Sequence, residues 1–227
     1  MRGVILPGET IDPDVLLQEL DVSRTVVREA LKVLSAKGLV DARPRLGTYV
    51  TERSRWHLLD NDVMVWRSQD EPDPMLVLEL GEVRQIIEPA AARMAAVRRD
   101  GGQLAAMAAA LSDLESGWSV DGGLNVEADL RFHRAVLAAA GNELLERFEV
   151  VLEPALHARD SLAVRKGSHG DFLDKHRAVF LAIEEQDPVA ARQRMQDLMD
   201  DAADDTAAVL SKDEGGKAAL DSRIKAL

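Results

Sequence analysis

The chain has 227 residues, of which 46% are hydrophobic, 30% charged and none cysteine, enough for one large domain or a small and a medium one with separate cores. Such a composition excludes extensive disorder, and the missing cysteines exclude disulfides, thiolate metal sites and a cysteine nucleophile, so any metal must be held by His, Asp or Glu. No run of about 18 apolar residues and no signal-like start occurs, which predicts a cytoplasmic protein without a membrane partner. The formal charge of −12 is divided unevenly, because residues 24–55 hold eight Lys/Arg against three acids while residues 56–227 hold 19 basic and 32 acidic residues. A basic head on an acidic body predicts an anionic polymer as partner at one end, and self-association or small-ligand chemistry at the other.

In chain order, Asp12-Pro13 opens a short helix to about Leu20, and Asp21-Val22-Ser23 make a turn. Ser23 caps a second helix from Arg24 to Lys37, which Gly38 ends. Two helices joined by a three-residue turn form a helix-turn-helix. Leu39 to Ala42, then Pro44-Arg45-Leu46-Gly47, then Thr48-Tyr49-Val50 read as a two-strand hairpin with a basic tip, a wing. Val26, Val27, Ala30, Leu31 and Leu34 are the expected core face of the second helix. If that helix enters a major groove, its first turn faces the bases. Arg24 and Arg28 then share a face four residues apart, able to donate paired bonds to guanine, and the Thr25 hydroxyl can reach a phosphate or a base edge. At the wing, Arg43, Arg45 and the Gly47-Thr48 backbone can approach phosphates or the minor groove. The plain alternative is an amphipathic surface helix with solvated arginines.

From Asp60 onward helix follows helix. Leu76, Leu80, Val83, Ile87, Ala91, Met94 and Val97 form one apolar stripe on a long helix that begins near Pro74 and is kinked by Pro89. Further helical runs are Gln103 to Gly117, Leu124 to Ala140, Glu143 to Ser161, Phe172 to Gln186 and Pro188 to Leu210. Gly141 serves as a C-cap, and Asp187-Pro188 as a helix start. The fold class is therefore mostly α, a winged helix-turn-helix followed by an antiparallel helical bundle. Asp129 and His133 project together from one helix, as metal ligands or anion-reading groups must, or else they pair with each other in a polar bundle core. His176 comes from a later helix. Arg84 and Glu88 are a second pair four residues apart, read from spacing alone as a surface or helix-helix ion pair. The repeated Glu-x-x-His pairs of a di-metal carboxylate enzyme are missing, as are nucleotide-binding and hydrolase motifs, so a binding protein is expected rather than an enzyme.

Val22-Ser23-Arg24-Thr25-Val26-Val27-Arg28-Glu29-Ala30-Leu31, Lys37-Gly38-Leu39-Val40 and Gly47-Thr48-Tyr49-Val50, preceded by Pro7-Gly8, resemble the winged helix-turn-helix signature of GntR-type regulators. The family's amphipathic helix ahead of Pro-Gly has only Met1 to Leu6 here, so the winged domain is expected to be truncated or to start further upstream. Glu82 to Arg93, Asp129-Leu130-Arg131-Phe132-His133, Gly141-Asn142 and Lys175 to Phe180 resemble the FCD effector domain of the FadR-like branch. Trp56, Leu59-Asp60, Asp62-Val63, Trp66 and Asp73-Pro74 resemble the linker of its sugar-acid operon regulators. Domains are expected at 1–52 (winged helix-turn-helix), 53–72 (linker) and 73–211 (FCD), with a flexible tail at 212–227.

The resemblance implies a homodimeric repressor that binds operator double-stranded DNA and is released by a sugar acid such as gluconate or galactonate, with a uronate or dicarboxylate as the alternative effector. It implies Asp129, His133 and His176 as ligands of a divalent metal such as Zn²⁺ and as effector contacts, and Arg84 as the clamp on the effector carboxylate. A fourth histidine that many relatives place one helix later falls on Leu198, which cannot coordinate. The nearby Asp197, Asp200 and Asp201 are expected on other helical faces.

Overall fold

The computed structural model describes residues 5–45, 47–68, 73–116, 126–162, 169–212 and 214–224. The chain divides into two compact units, residues 1–67 and 68–227.

In the first unit β1 (Thr10–Ile11) precedes α1 (Pro13–Glu19) and α2 (Arg24–Ala36), followed by β2 (Val40–Arg43) and β3 (Gly47–Val50). The Asp12 carboxylate accepts from the Asp14 amide at 2.8 Å and the Ser23 hydroxyl from the Val26 amide at 3.4 Å, so both helices start where their caps dictate. Beyond the expected hairpin, β1 pairs antiparallel with β3, giving a three-stranded sheet in the order β1-β3-β2. Leu46, at the wing tip, lies outside the described residues. Gly38 ends α2 at φ +77°, and a Cβ there would collide with the Arg55 carbonyl oxygen, so both conformation and space require glycine.

The expected core face of α2 needs correction: Val27 is buried and Leu31 and Leu34 are half-buried, but Val26 and Ala30 are exposed. Residues 53–68, the described part of the expected linker 53–72, differ from a plain connection as well. They carry a 3₁₀ turn, Arg53–Arg55, and α3, Asn61–Ser68. Val63 is buried against Leu39 and Val40, with Trp56 and Trp66 packed around them. The Trp56 indole donates to the Thr51 carbonyl at 3.2 Å, and Lys37 at the end of α2 pairs with Asp60 and Asp62 at 2.6 and 2.8 Å. The winged unit thus runs on through Arg67, because its small sheet lacks apolar cover until α3 supplies it.

The second unit is a helical bundle: α4 (Pro74–Arg98), α5 (Gly101–Ser116), α6 (Val126–Ala139), α7 (Glu143–Glu146), α8 (Glu149–Leu162), α9 (His169–Glu184), α10 (Pro188–Leu210) and α11 (Glu214–Ile224). Pro89 stands inside α4, which continues as one helix on both sides of it. Gly117 and Leu124, the expected ends of two runs, lie outside the described residues, and the run from Glu143 breaks at Arg147-Phe148 into α7 and α8. Gly141 takes φ +61° after α6, and the Asp187 carboxylate caps α10 through the Val189 and Ala190 amides. α10 packs along α4 and α9, and α5 along α6. A continuous apolar core joins Met107, Leu114, Phe132, Val179, Ile183, Met195 and Leu198. The expected fraying tail instead forms α11, which lies against α4 and α10, buries Ala219 and pairs Arg223 with Glu82. Among the described residues no helix is long and apolar enough to cross a membrane.

Candidate functional site

The buried face of α4 carries Leu76, Val77, Leu80, Arg84, Glu88, Ala91, Ala92, Ala95 and Ala96. Compared with the expected stripe it is turned about one residue around the helix, which expels Val97 and places a cation and an anion in the middle of an apolar face. α6 contributes Asp129 and His133 one turn apart, and α9 contributes His176; all three are at most 1% exposed.

These five side chains form one connected polar chain inside the bundle. Arg84 Nε lies 2.5 Å from Glu88 Oε1, and Arg84 Nη2 lies 3.3 Å from His133 Nε2. His133 Nδ1 faces Glu88 Oε2 at 2.5 Å, and His133 Nε2 is 3.4 Å from Asp129 Oδ1. His176 Nδ1 faces the Phe172 carbonyl at 2.8 Å, and its Nε2 lies 2.9 Å from the same Asp129 Oδ1. Phe132 closes the site with its ring edge-to-face with both imidazoles, centroids 5.8 and 5.1 Å away.

Burial works against a charged Glu88, but the Arg84 guanidinium and then His133 outweigh it and hold its carboxyl down at about 2. Burial also opposes the His133 imidazolium, and Glu88, helped by Asp129, overcomes it and Arg84 to raise that pKa. For His176 burial wins over Asp129, and its pKa falls. A neutral His176 carries one proton, yet both of its ring nitrogens face groups that accept, the Phe172 carbonyl and the Asp129 carboxylate. With the proton on Nδ1, Nε2 and the Asp129 oxygen form a pair of acceptors that a cation between them would satisfy.

The ligand atoms of Asp129, His133 and His176 all lie within 4.8 Å of one another, so these residues fit a divalent cation. The position expected for a fourth ligand, Leu198, is 4% exposed and belongs to the apolar cluster around Phe132. Asp197 and Asp200 bond glutamines on the outside of α10, and Asp201 pairs with Lys175, so none of the three joins the site. Glu88 is the member that spacing assigned to an ordinary ion pair; its burial depends on His133 arriving from another helix. A cavity of about 100 Å³ between α4 and α10 touches Arg84, with Glu82, Gln85 and Thr206 along its walls.

In the winged unit Arg24, Thr25 and Arg28 are exposed on the first turns of α2, as are Arg43, Arg45 and Gly47 on the wing, with Thr48 half-buried. Arg24 leans on Asp14 at 2.9 Å, and the Arg43 guanidinium stacks over Tyr49 with 4.7 Å to the ring centre. Arg45 and Gly47 both take positive φ, 68° and 85°, which turns the wing tip tightly. A groove of about 520 Å³ separates α2 from the sheet, with Arg24, Arg28, Lys32 and Thr48 on its rim.

Residues 1–50 match the family described as bacterial regulatory proteins, gntR family, and residues 79–201 match the FCD domain. The chain is 33% identical to the galactonate operon transcriptional repressor of Escherichia coli K12, over 85% of this chain and 85% of that protein. It is 32% identical to the Uxu operon transcriptional regulator of the same organism, over 83% and 75%. It is 30% identical to the HTH-type regulator LutR of Bacillus subtilis, over 80% and 84%. Two solved structures share the fold. One is Lar, which controls the expression of the Listeria monocytogenes agr system (TM-score 0.61, 18% identity, 90% of this chain and 89% of that one). The other is Streptococcus agalactiae GntR (TM-score 0.53, 24% identity, 88% and 91%).

Proposed function

We propose that this chain, which belongs to the GntR family of bacterial regulatory proteins and carries an FCD domain, represses a sugar-acid catabolic operon and is released from its operator by the sugar acid, gluconate or galactonate. It is a transcription regulator and not an enzyme. The observation that carries the effector reading is the convergence of two imidazole Nε2 atoms and the Asp129 carboxylate beside a buried guanidinium. Arg84 offers paired N–H donors to an effector carboxylate, while Asp129, His133 and His176 offer acceptors and ring nitrogens to its hydroxyls. A divalent cation such as Zn²⁺, held by Asp129, His133 and His176, would supply a Lewis-acidic position for an effector oxygen.

The 100 Å³ cavity beside Arg84 is small against the about 300–1,000 Å³ of ordinary ligand pockets, so a six-carbon acid has to widen the contact between α4 and α10. Effector binding is thereby tied to a rearrangement of the bundle, which is what release from DNA requires: a ligand with equal affinity for both arrangements shifts nothing. Arg24, Thr25 and Arg28 read base edges, and Arg43, Arg45, Gly47 and Thr48 hold the backbone. The protein acts in the cytoplasm as a homodimer through its helical unit, on an inverted repeat, since one recognition helix reads only a few base pairs.

Operator complexes titrated with aldonates, uronates, dicarboxylates and amino acids, read by fluorescence anisotropy, test this. Release by gluconate or galactonate is expected, with a coupling of about 1–3 kcal/mol. Release by a uronate or dicarboxylate alone changes the effector class. Tighter operator binding makes the protein an activator.

A further inference from the structure

We propose that Glu88 is a positioning residue that fixes the tautomer of His133, accepting the ring's Nδ1–H so that the Nε2 lone pair is turned toward Asp129 and His176. The consequence for binding rests on the reading of those residues as a cation and effector centre; the tautomer itself does not. Three observations carry the inference. First, His133 Nδ1 and Glu88 Oε2 are buried 2.5 Å apart, and among the described residues neither makes a well-directed hydrogen bond, to the other or elsewhere, so a small turn of either group lets each satisfy the other. Second, a guanidinium can only donate, so Arg84 Nη2, 3.3 Å from His133 Nε2, favours a ring whose Nε2 accepts. Third, the other Glu88 oxygen already receives the Arg84 Nε–H at 2.5 Å, so both carboxylate oxygens act as acceptors toward fixed donors.

That third point explains why the residue must be an acid. A glutamine at 88 has one accepting end and one donating end. If its oxygen serves the Arg84 Nε–H, its NH₂ confronts His133 Nδ1 and drives the proton to Nε2. The proton then occupies the position where Asp129, His133 and His176 converge. Glu88 stands to His133 as the Phe172 carbonyl stands to His176, each an acceptor behind a ring that turns its Nε2 to the same Asp129 oxygen. Acceptors of this kind behind metal-binding histidines are worth about 10–100-fold in metal affinity.

The test uses the full-length chain, ¹⁵N-labelled at histidine, at a pH where His133 carries one proton, together with calorimetric titration of Co²⁺ and Zn²⁺. The wild type is expected to show His133 as the Nδ1–H tautomer. Glu88→Gln, checked for folding by circular dichroism, is expected to move the proton to Nε2 and to weaken Co²⁺ binding about 10–100-fold. A wild-type ring protonated on Nε2 overturns the proposal without any variant, as does a folded Glu88→Gln protein that keeps the Nδ1–H tautomer. If the tautomer behaves as expected but the wild type binds neither ion, the role of Glu88 stands and the cation reading of the centre falls.

Discussion

Replacing Arg84 by methionine removes a charge but little volume, and the structure sets its cost. Arg84 is 5% exposed and Glu88 is 1% exposed, so the variant strands a carboxylate in the bundle with only His133 to balance it. A carboxyl held at about 2 instead of its ordinary 4.5 corresponds to about 3 kcal/mol in favour of the folded, charged form. Deleting one partner of a buried ion pair independently leads to about 3–5 kcal/mol. Because the Glu88 pKa is depressed by folding, this contribution is complete above about pH 4.5 and lost as pH falls toward 2. The deficit of Arg84→Met should therefore be full at neutral pH and shrink on acidification. Urea denaturation followed by helical circular dichroism measures it, with about 3 kcal/mol expected at pH 7. Changing both residues, Arg84→Met with Glu88→Leu, should recover much of the loss, since no charge is left unpaired. A single-variant cost below about 1 kcal/mol, or a double variant less stable than the single one, would refute the reasoning. The same single variant should bind operator and no longer be released by the sugar acid.

Arg28→Ala should weaken binding to the preferred operator by about 1–3 kcal/mol and leave effector binding intact; anisotropy on operator and calorimetry with effector report the two halves separately. Leu198→His should raise metal content in elemental analysis, since it adds a donor beside the cluster that holds Phe132, while lowering metal-free stability by about 1–3 kcal/mol. Added Zn²⁺ at about 100 times its Kd should stabilise the variant by about 2.7 kcal/mol in a thermal melt, enough to offset most or all of that loss. Gly38→Ala forces a side chain against the Arg55 carbonyl oxygen at positive φ, so operator affinity should drop sharply with metal binding unchanged.

Local chemistry made much of the architecture readable. Asp12, Ser23 and Asp187 cap their helices in the structure as their sequence neighbourhoods predict, because an N-cap is decided within three residues. Elements that exist only through distant partners were harder to read. β1 is two residues long and owes its form to β3, and α3 becomes part of the winged unit only because Val63 fills the space beside Leu39 and Val40. The site divides in the same way. Asp129 with His133 is legible as a pair one helical turn apart, and family resemblance adds His176 and Arg84. Glu88 is not legible as a member, since an acid four residues from an arginine usually marks solvent, and only the approach of α6 puts it inside.

The winged unit spends much of its positive charge internally. At least four of the eight cations between residues 24 and 55 are paired: Arg24 with Asp14, Lys32 with Glu29, Lys37 with Asp60 and Asp62, and Arg55 with Asp41. A cation matched to its own carboxylate displaces no counterion from DNA unless that carboxylate is then neutralised by a salt ion, which cancels the gain. Lys37, its side chain only 13% exposed, is the most firmly withdrawn of the four. The slope of log affinity against log salt for one reading head should therefore be no steeper than the about −4 that four phosphate contacts give, at most about half of what the basic residues would suggest when counted along the chain. Operator binding by this protein should accordingly tolerate changes in ionic strength better than its basic head implies, leaving base contacts and the effector a larger share of control.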